Sequence, residues 1–348
     1  MSEKMKVAAI TDERKVEIKE VTKPIPSANQ ILINIKACAL CTWEQRAFTR
    51  LTKMPLPFVG GHEISGVIEA VGEKVNVSDF PIGHKVAARL INVCGKCYFC
   101  RNGMENLCVE INNLDDSNME IPGTGGLGEY IAVNASQVYK LSDGISFEHG
   151  AFAEPLACVV NSIEQGKIQL GENVVVIGGG VMGMLHIMLS KLKGAYVIIS
   201  EPDETRRRLT LELGADIAID PLEKDPVQTI KDMTEGRGAD VIFNTTPISA
   251  VAEQAVNMAG YAGRVVMYSS IHPDKPISIS PQWLHKSQAI ITGAVSPSVR
   301  SFEMAVRLLS KGLINPHKLI AGTYCLADVQ KAFEMAVVPN TYRIIVTQ

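Results

Sequence analysis

Aromatic side chains make up only 5% of this sequence, and just two residues are tryptophan. A surface that stacks nucleic-acid bases needs more of them. An excess of one charge is also missing: 34 basic residues stand against 37 acidic ones, a net charge of −3. That leaves no broad basic footprint for a phosphate backbone, so no nucleic-acid partner is expected. The start, MSEKMKVAAITDERK, has no apolar stretch of signal-peptide length, because its first hydrophobic run breaks at Thr11, Asp12 and Glu13. One long run, 174–189, does lack Asp, Glu, Lys and Arg, but it contains Gly178, Gly179, Gly180 and Gly183. It reads as a buried strand, a turn and a packed helix rather than a membrane span. These absences predict a soluble, cytoplasmic protein.

What is present fits a globular chain. Its 348 residues imply about two domains, and 46% hydrophobic against 20% charged residues supply a sizeable core. The first 140 residues read mostly as strands, with short runs at 6–10 and 16–21 and Ile31, Ile33 and Ile35 alternating with Leu32, Asn34 and Lys36. Pro24, Pro26, Pro55 and Pro57 punctuate this part, as in an antiparallel, barrel-like β domain. After Glu154 the pattern changes. Strands at 173–177, 196–200, 217–219, 241–244 and 264–268 alternate with helices at 182–193, 204–213, 227–233 and 250–258. That alternation predicts parallel βαβ units with helices on both faces of one sheet. The last 50 residues, with helices at 302–310 and 327–336 and a closing strand at 342–346, do not obviously extend it.

The eight cysteines are not spread like a disulfide framework. Cys94, Cys97, Cys100 and Cys108 follow a C-x2-C-x2-C-x7-C spacing. Four thiolates on a short glycine-containing loop can close a tetrahedron around zinc, and an iron–sulfur cluster uses similar ligands. Gly178, Gly180 and Gly183 form a G-x-G-x-x-G run between the first strand of the βαβ region and the helix that opens at Val181 and Met182. There the first glycine permits a tight turn, the second lets a pyrophosphate reach the backbone, and the third lets helix and strand pack closely. Glu201 follows 23 residues after Gly178, where an acid grips the ribose 2′-hydroxyl of NAD. Arg206, Arg207 and Arg208 could attract a 2′-phosphate, but three arginines in a row more often form a solvated helix face, so NAD is favoured over NADP.

A third set is scattered: Cys41, His62, Glu63 and Glu154. A soft thiolate, an imidazole and a carboxylate can hold a catalytic zinc with one position open, although each residue alone reads as structural. Taken together, the stretch Gly61–Gly72, the cysteine lobe, Glu154-Pro155-Leu156 and the glycine run occur in one order that resembles the zinc-dependent medium-chain dehydrogenase/reductase family, in its sorbitol and threonine dehydrogenase-like branch. The resemblance covers essentially the whole chain. It implies an α/β protein with a GroES-like β-barrel catalytic domain, residues 1–155 and 293–348, carrying a structural zinc lobe at about 92–110. A Rossmann doubly wound parallel sheet, residues 156–292, would bind NAD. Cys41 and His62 would be zinc ligands, with Glu63 and Glu154 binding the metal or holding its water, and Cys158 as a substitute ligand or a packed core cysteine. Two zincs per chain follow, one catalytic and one structural.

The implied activity is reversible oxidation of a secondary alcohol, a polyol, cyclitol or similar hydroxylated molecule, by a homodimer or homotetramer. Two alternatives remain: a metal-poor reductase of activated double bonds or quinones, and a non-catalytic nucleotide-binding protein. The family's proton relay uses Ser or Thr two residues after the zinc-binding cysteine and often His five after it. Here Trp43 and Arg46 stand there, and neither passes a hydroxyl proton in the useful pH range. His84, His149, His186, His272, His285 and His317 lack metal-like partners and are expected to be structural or solvent-facing, and Arg300 and Glu303 carry no assigned role.

Overall fold

The computed structural model describes residues 3–111, 119–271 and 273–348, so His272 lies outside the described residues. The chain forms two compact units, Met1–Ala157 with Ser298–Gln348, and Cys158–Pro297. The sequence pattern places the divisions a few residues earlier, at 155/156 and 292/293.

The first unit begins with the hairpin β1 (Lys4–Asp12) and β2 (Lys15–Thr22). β3 (Gln30–Ala39) leads into helix α1 (Thr42–Phe48), and β4 (Glu63–Val71) and β5 (Lys85–Arg89) follow. The cysteine lobe contains the one-turn helix α2 (Tyr98–Arg101). Then come β6 (Tyr130–Asn134), β7 (Val138–Lys140), α3 (Phe147–Gly150) and α4 (Ala153–Gly166), inside which the division between the units falls. β3 is the pivot of this unit. Its Ile31, Ile33 and Ile35 are fully buried, and Leu32 is buried too, so the strand is covered more completely than simple alternation predicts. It pairs antiparallel with β4 and β6, and the β3–β4 register sets Ala39 opposite Glu63. The end of β3, the start of α1 and the start of β4 therefore converge.

The second unit runs β8 (Asn173–Ile177), α5 (Val181–Leu192), β9 (Tyr196–Ser200), α6 (Glu204–Glu212), β10 (Ile217–Ile219), α7 (Pro226–Met233), β11 (Ala239–Asn244), α8 (Ser249–Met258), β12 (Ala259–Met267), α9 (Pro281–Ser287) and β13 (Ile290–Gly293). All pairings are parallel, in the order β10-β9-β8-β11-β12-β13. That is the doubly wound dinucleotide order, with its reversal between β8 and β11. Val174, Val175 and Val176 are wholly buried, as expected of a strand covered on both faces. β13 is a sixth strand that the sequence pattern does not signal: it is four residues long and opens on the exposed Ile290.

The chain then returns to the first unit through α10 (Val299–Ser310), β14 (Ile320–Cys325), α11 (Val329–Ala336) and β15 (Arg343–Thr347). β15 pairs antiparallel with β3 and parallel with β14, which gives a seven-stranded sheet among the described residues. Phe333 of α11 packs on Phe48 of α1 at 5.0 Å, which ties the returning segment to the same core. Among the described residues no helix is long and apolar enough to cross a membrane.

His186 in α5 is fully buried. Its Nδ1 lies 2.7 Å from the Met182 carbonyl and must carry the proton, so Nε2 accepts from the Ser162 hydroxyl at 2.9 Å. Phe243 and Tyr268 flank the ring at 4.9 and 4.8 Å. Burial pulls His186 down to about 4, only partly opposed by the Met182 bond. Above its unfolded value near 6.5 the imidazole is neutral in both states; as pH falls from there towards 4, only the unfolded chain takes up the proton. Acidification across that window should therefore cost about 3 kcal/mol of stability. Urea unfolding at pH 7 and pH 4.5, on the wild type and on His186→Gln, should show a steeper loss in the wild type. Equal slopes would refute the assignment.

Candidate metal and dinucleotide sites

Cys41 caps the N-terminus of α1, and its backbone N–H donates to Glu44 Oε2 at 3.1 Å. Glu44 is completely buried. Its other oxygen accepts from the Gly61 N–H at 3.0 Å and from His62 Nδ1 at 2.7 Å. A helix cap thus becomes a clamp on the imidazole, which also interacts with the Cys41 side chain. Cys41, His62 and Glu63 bring one ligand atom each to within 4.8 Å of one another. Glu63, first residue of β4, is held from the far end of the chain: Arg343 Nη2 donates to its Oε1 at 2.7 Å, and Arg343 Nη1 to the Leu40 carbonyl at 3.1 Å.

The protonation pattern follows from burial and these partners. Burial raises the Cys41 thiol, Glu63 adds to the effect, and the His62 bond opposes both. Burial alone would lower His62, but Glu44 and Cys41 outweigh it and lift the imidazole well above its ordinary value. Glu44 stays low despite its burial because His62 and the Gly61 N–H favour its charge. Burial lifts Glu63 to about 7, with Arg343 pulling it down and Glu154 pushing it up. Glu154, in the first turn of α4, is buried and its charge reaches Glu63 and Arg343, but it is not one of the three converging groups. Cys158 is half-buried and also outside that set.

A cation fits this donor set. Glu63 Oε2 is buried without a hydrogen-bond partner, and a soft thiol, an imidazole nitrogen and a carboxylate oxygen are ligand types zinc accepts. Glu44 then plays the supporting acid that fixes a ligating histidine. Glu44→Gln keeps the shape but weakens the grip on Nδ1. It should lower zinc affinity at this cluster by about 10- to 100-fold in chelator competition, with the cysteine lobe still loaded.

The lobe is a second, separate group: Cys94, Cys97, Cys100 and Cys108 also lie within 4.8 Å of one another. Backbone N–H groups of Cys94, Cys97 and Cys100 donate to the sulfurs of Cys108, Cys94 and Cys97 at 3.3, 3.3 and 3.5 Å. Bonds from Cys100 and Val109 hold Cys97 down to about 6, while burial and the neighbouring thiols push Cys100 up to about 12. Sulfurs this close would fit around one ion, since a tetrahedral zinc with bonds of about 2.3 Å spaces them about 3.8 Å apart.

In the second unit the glycine run follows β8 directly. Gly178 takes φ +99, and a Cβ built there would meet Thr246 at 2.7 Å. A Cβ on Gly183 would lie 1.8 Å from the Gly178 carbonyl oxygen, so helix and strand touch at that point. At Gly180 nothing lies within 4 Å, and this open space fronts the N-terminal N–H groups of α5 at Val181 and Met182. Glu201, just past β9, is buried and accepts from the backbone N–H of Gly179 and, at 2.9 Å, of Asp203. Arg206 approaches the same place, its Cβ 3.4 Å from a Cβ built on Gly179. Arg207 pairs with Asp220 at 2.9 Å and Arg208 with Glu204.

Two of these residues escaped the sequence reading. Glu44 had a usable signal, an acid three residues after a residue that opens a helix. Arg343, 280 residues from Glu63, had none.

A soft-ligand metal cluster in one unit and a dinucleotide fingerprint in the other define a metal-assisted dehydrogenase. Comparison with known proteins agrees. Residues 27–143 match the alcohol dehydrogenase GroES-like domain family and residues 181–311 the zinc-binding dehydrogenase family. L-threonine 3-dehydrogenase of Pyrococcus furiosus is 31% identical over 99% of each chain. 2-Dehydro-3-deoxy-L-galactonate 5-dehydrogenase of Pseudoalteromonas atlantica is 29% identical over 88% of each. A Sinorhizobium meliloti chain classed as a zinc-binding dehydrogenase and solved with NADP superposes with a TM-score of 0.90, at 25% identity over all of both chains. The chain belongs to the zinc-binding dehydrogenase family of medium-chain alcohol dehydrogenases, with a GroES-like domain and a Rossmann sheet, and it is an oxidoreductase acting on CH–OH groups.

Proposed function

We propose that this protein oxidises a secondary alcohol of a small polyol, cyclitol or related hydroxylated molecule, reversibly, with NAD. The observation that carries the reading is the convergence of Cys41, His62 and Glu63 around an unpartnered carboxylate oxygen in a chain that also bears the glycine fingerprint. In this reading the first unit is catalytic and the second binds the dinucleotide.

Cys41, His62 and Glu63 would hold the catalytic zinc, with Glu154 beside them, and the four lobe cysteines the structural one. Zinc bound there supplies Lewis acidity to a substrate hydroxyl, while the nicotinamide accepts the hydride. The chain's own residues do the rest. Glu44 keeps the His62 ring oriented and its Nδ1 proton in place, and Arg343 restrains Glu63 at Oε1 while Oε2 stays available. Gly180 leaves room for the pyrophosphate against the start of α5. Glu201, pinned by two N–H donors, presents a carboxylate that would bond a ribose 2′-hydroxyl and repel a 2′-phosphate. With Arg207 and Arg208 engaged by Asp220 and Glu204, this supports NAD over NADP. The relatives named above act, by their names, at the 3- and 5-positions of hydroxylated acids. A cytoplasmic homodimer or homotetramer completes the reading.

The test is nicotinamide absorbance with polyols, cyclitols, hydroxy acids and amino alcohols, each with NAD and NADP. Reduction of NAD by one of these classes supports the reading. Dinucleotide binding without turnover of any would overturn it.

A further inference from the structure

Trp43 is the second residue of α1, two after Cys41. Its ring centroid lies 5.9 Å from that of His62 at an interplanar angle of 84°, and 5.5 Å from that of Phe58 at 65°. Phe58 is buried, whereas Trp43 is half-buried. The indole is therefore backed by a fixed ring on one side, set against a metal-cluster imidazole on another, and still partly accessible. His62 has little freedom to turn away, because Glu44 holds its Nδ1.

We infer that Trp43 is the specificity-determining wall of the alcohol site: its indole, backed by Phe58, packs against the substituent on the carbinol carbon, admitting a compact C–H face and excluding a branched one. The inference rests on the dehydrogenase reading above, since the Cys41–His62–Glu63 cluster marks where the carbinol is brought. Indole has one N–H donor and no acceptor, so its contribution to this site is shape and apolar contact rather than proton transfer. Aromatic rings in fixed edge contacts keep a pocket wall in place, and a wall that fits sets substrate size sharply: a single methylene in an apolar pocket changes discrimination by about 10- to 200-fold.

The experiment uses the full-length, zinc-loaded enzyme and three vicinal diols of increasing bulk, 1,2-propanediol, 2,3-butanediol and 3,3-dimethyl-1,2-butanediol. Trp43→Ala should raise the kcat/KM ratio of the bulkiest to the smallest diol at least about tenfold, chiefly through KM. Trp43→Phe should move it less in the same direction. Zinc content, measured on each variant, should stay at the wild-type level. A Trp43→Ala enzyme whose kcat/KM changes by one common factor for all three diols, or not at all, overturns the wall.

A second readout does not depend on turnover. The sequence has two tryptophans, so Trp283→Phe leaves Trp43 as the sole indole emitter. Its emission should shift when 2,3-butanediol is titrated into the zinc-loaded protein, and an unchanged spectrum counts against the wall. A wild type that reduces no NAD while Trp43 emission still responds to the diol sinks the dehydrogenase reading and leaves the wall standing. An active enzyme with a flat Trp43 profile and silent emission does the reverse.

Discussion

Cys41→Ser should leave one zinc per chain where the wild type holds two, and cut NAD reduction at least about a thousandfold, the scale of losing metal assistance. The reason lies in ligand chemistry. A serine hydroxyl is a hard, weakly acidic oxygen where a thiolate is soft, and it does not replace sulfur on zinc. His62 and Glu63 would then face the ion alone, with Glu63 already restrained by Arg343. The lobe cysteines form a separate group of four and should stay loaded. Cys108→Ser gives the opposite signature: it removes the other ion, and with it the closure of a lobe whose helix α2 is a single turn with no buried residue. Thermal stability should fall, while kcat per folded chain changes much less. Elemental analysis alongside initial rates separates the two cases. Two zincs retained in Cys41→Ser, or full activity with one, would refute the assignment of the catalytic cluster.

Two glycine substitutions should part company just as sharply. Gly180→Ala adds a methyl to open space and should fold normally, but the methyl occupies the room facing the start of α5. The dissociation constant for NAD should rise at least about tenfold, with the melting temperature within a few degrees of wild type. Gly183→Ala places its methyl 1.8 Å from the Gly178 carbonyl oxygen, a contact only backbone movement can relieve. It should destabilise the second unit by about 3 kcal/mol or more and weaken NAD binding as a consequence. Isothermal titration with NAD and a melting curve on each variant distinguish the two. If Gly180→Ala binds NAD as well as wild type, the pyrophosphate does not lie against that turn.

How much of this was legible beforehand depended on how locally each feature is encoded. The cysteine lobe sits within fifteen consecutive positions, and the glycine fingerprint within six after an apolar strand, so spacing alone reveals both. The alternating strands and helices of the second unit were legible for the same reason, apart from α9 and β13, which are too short to carry a period. The metal cluster is different. Cys41 and His62 come from separate segments that only the β3–β4 register brings together, so residue types and family resemblance could nominate them but spacing could not. Glu154 was grouped with them by ligand type, and it is not among the three whose ligand atoms converge, although its charge reaches Glu63. The closing strand β15 was legible as a strand but not in its docking, because its partner, β3, lies some 300 residues earlier, and β14, which pairs only with β15 here, was not signalled.

That last pairing bears on how the protein is made. β15 supplies Arg343, whose guanidinium fastens both Glu63 and the Leu40 carbonyl beside Cys41. A ribosome that has finished both the thiol and the imidazole segments has therefore not yet delivered the strand that locks them. During synthesis the cluster's acid waits, unclamped, until the whole nucleotide-binding unit has emerged and the strand after it has slotted home. The clamp on Glu63 is therefore complete only once the residues that follow the parallel sheet have been made.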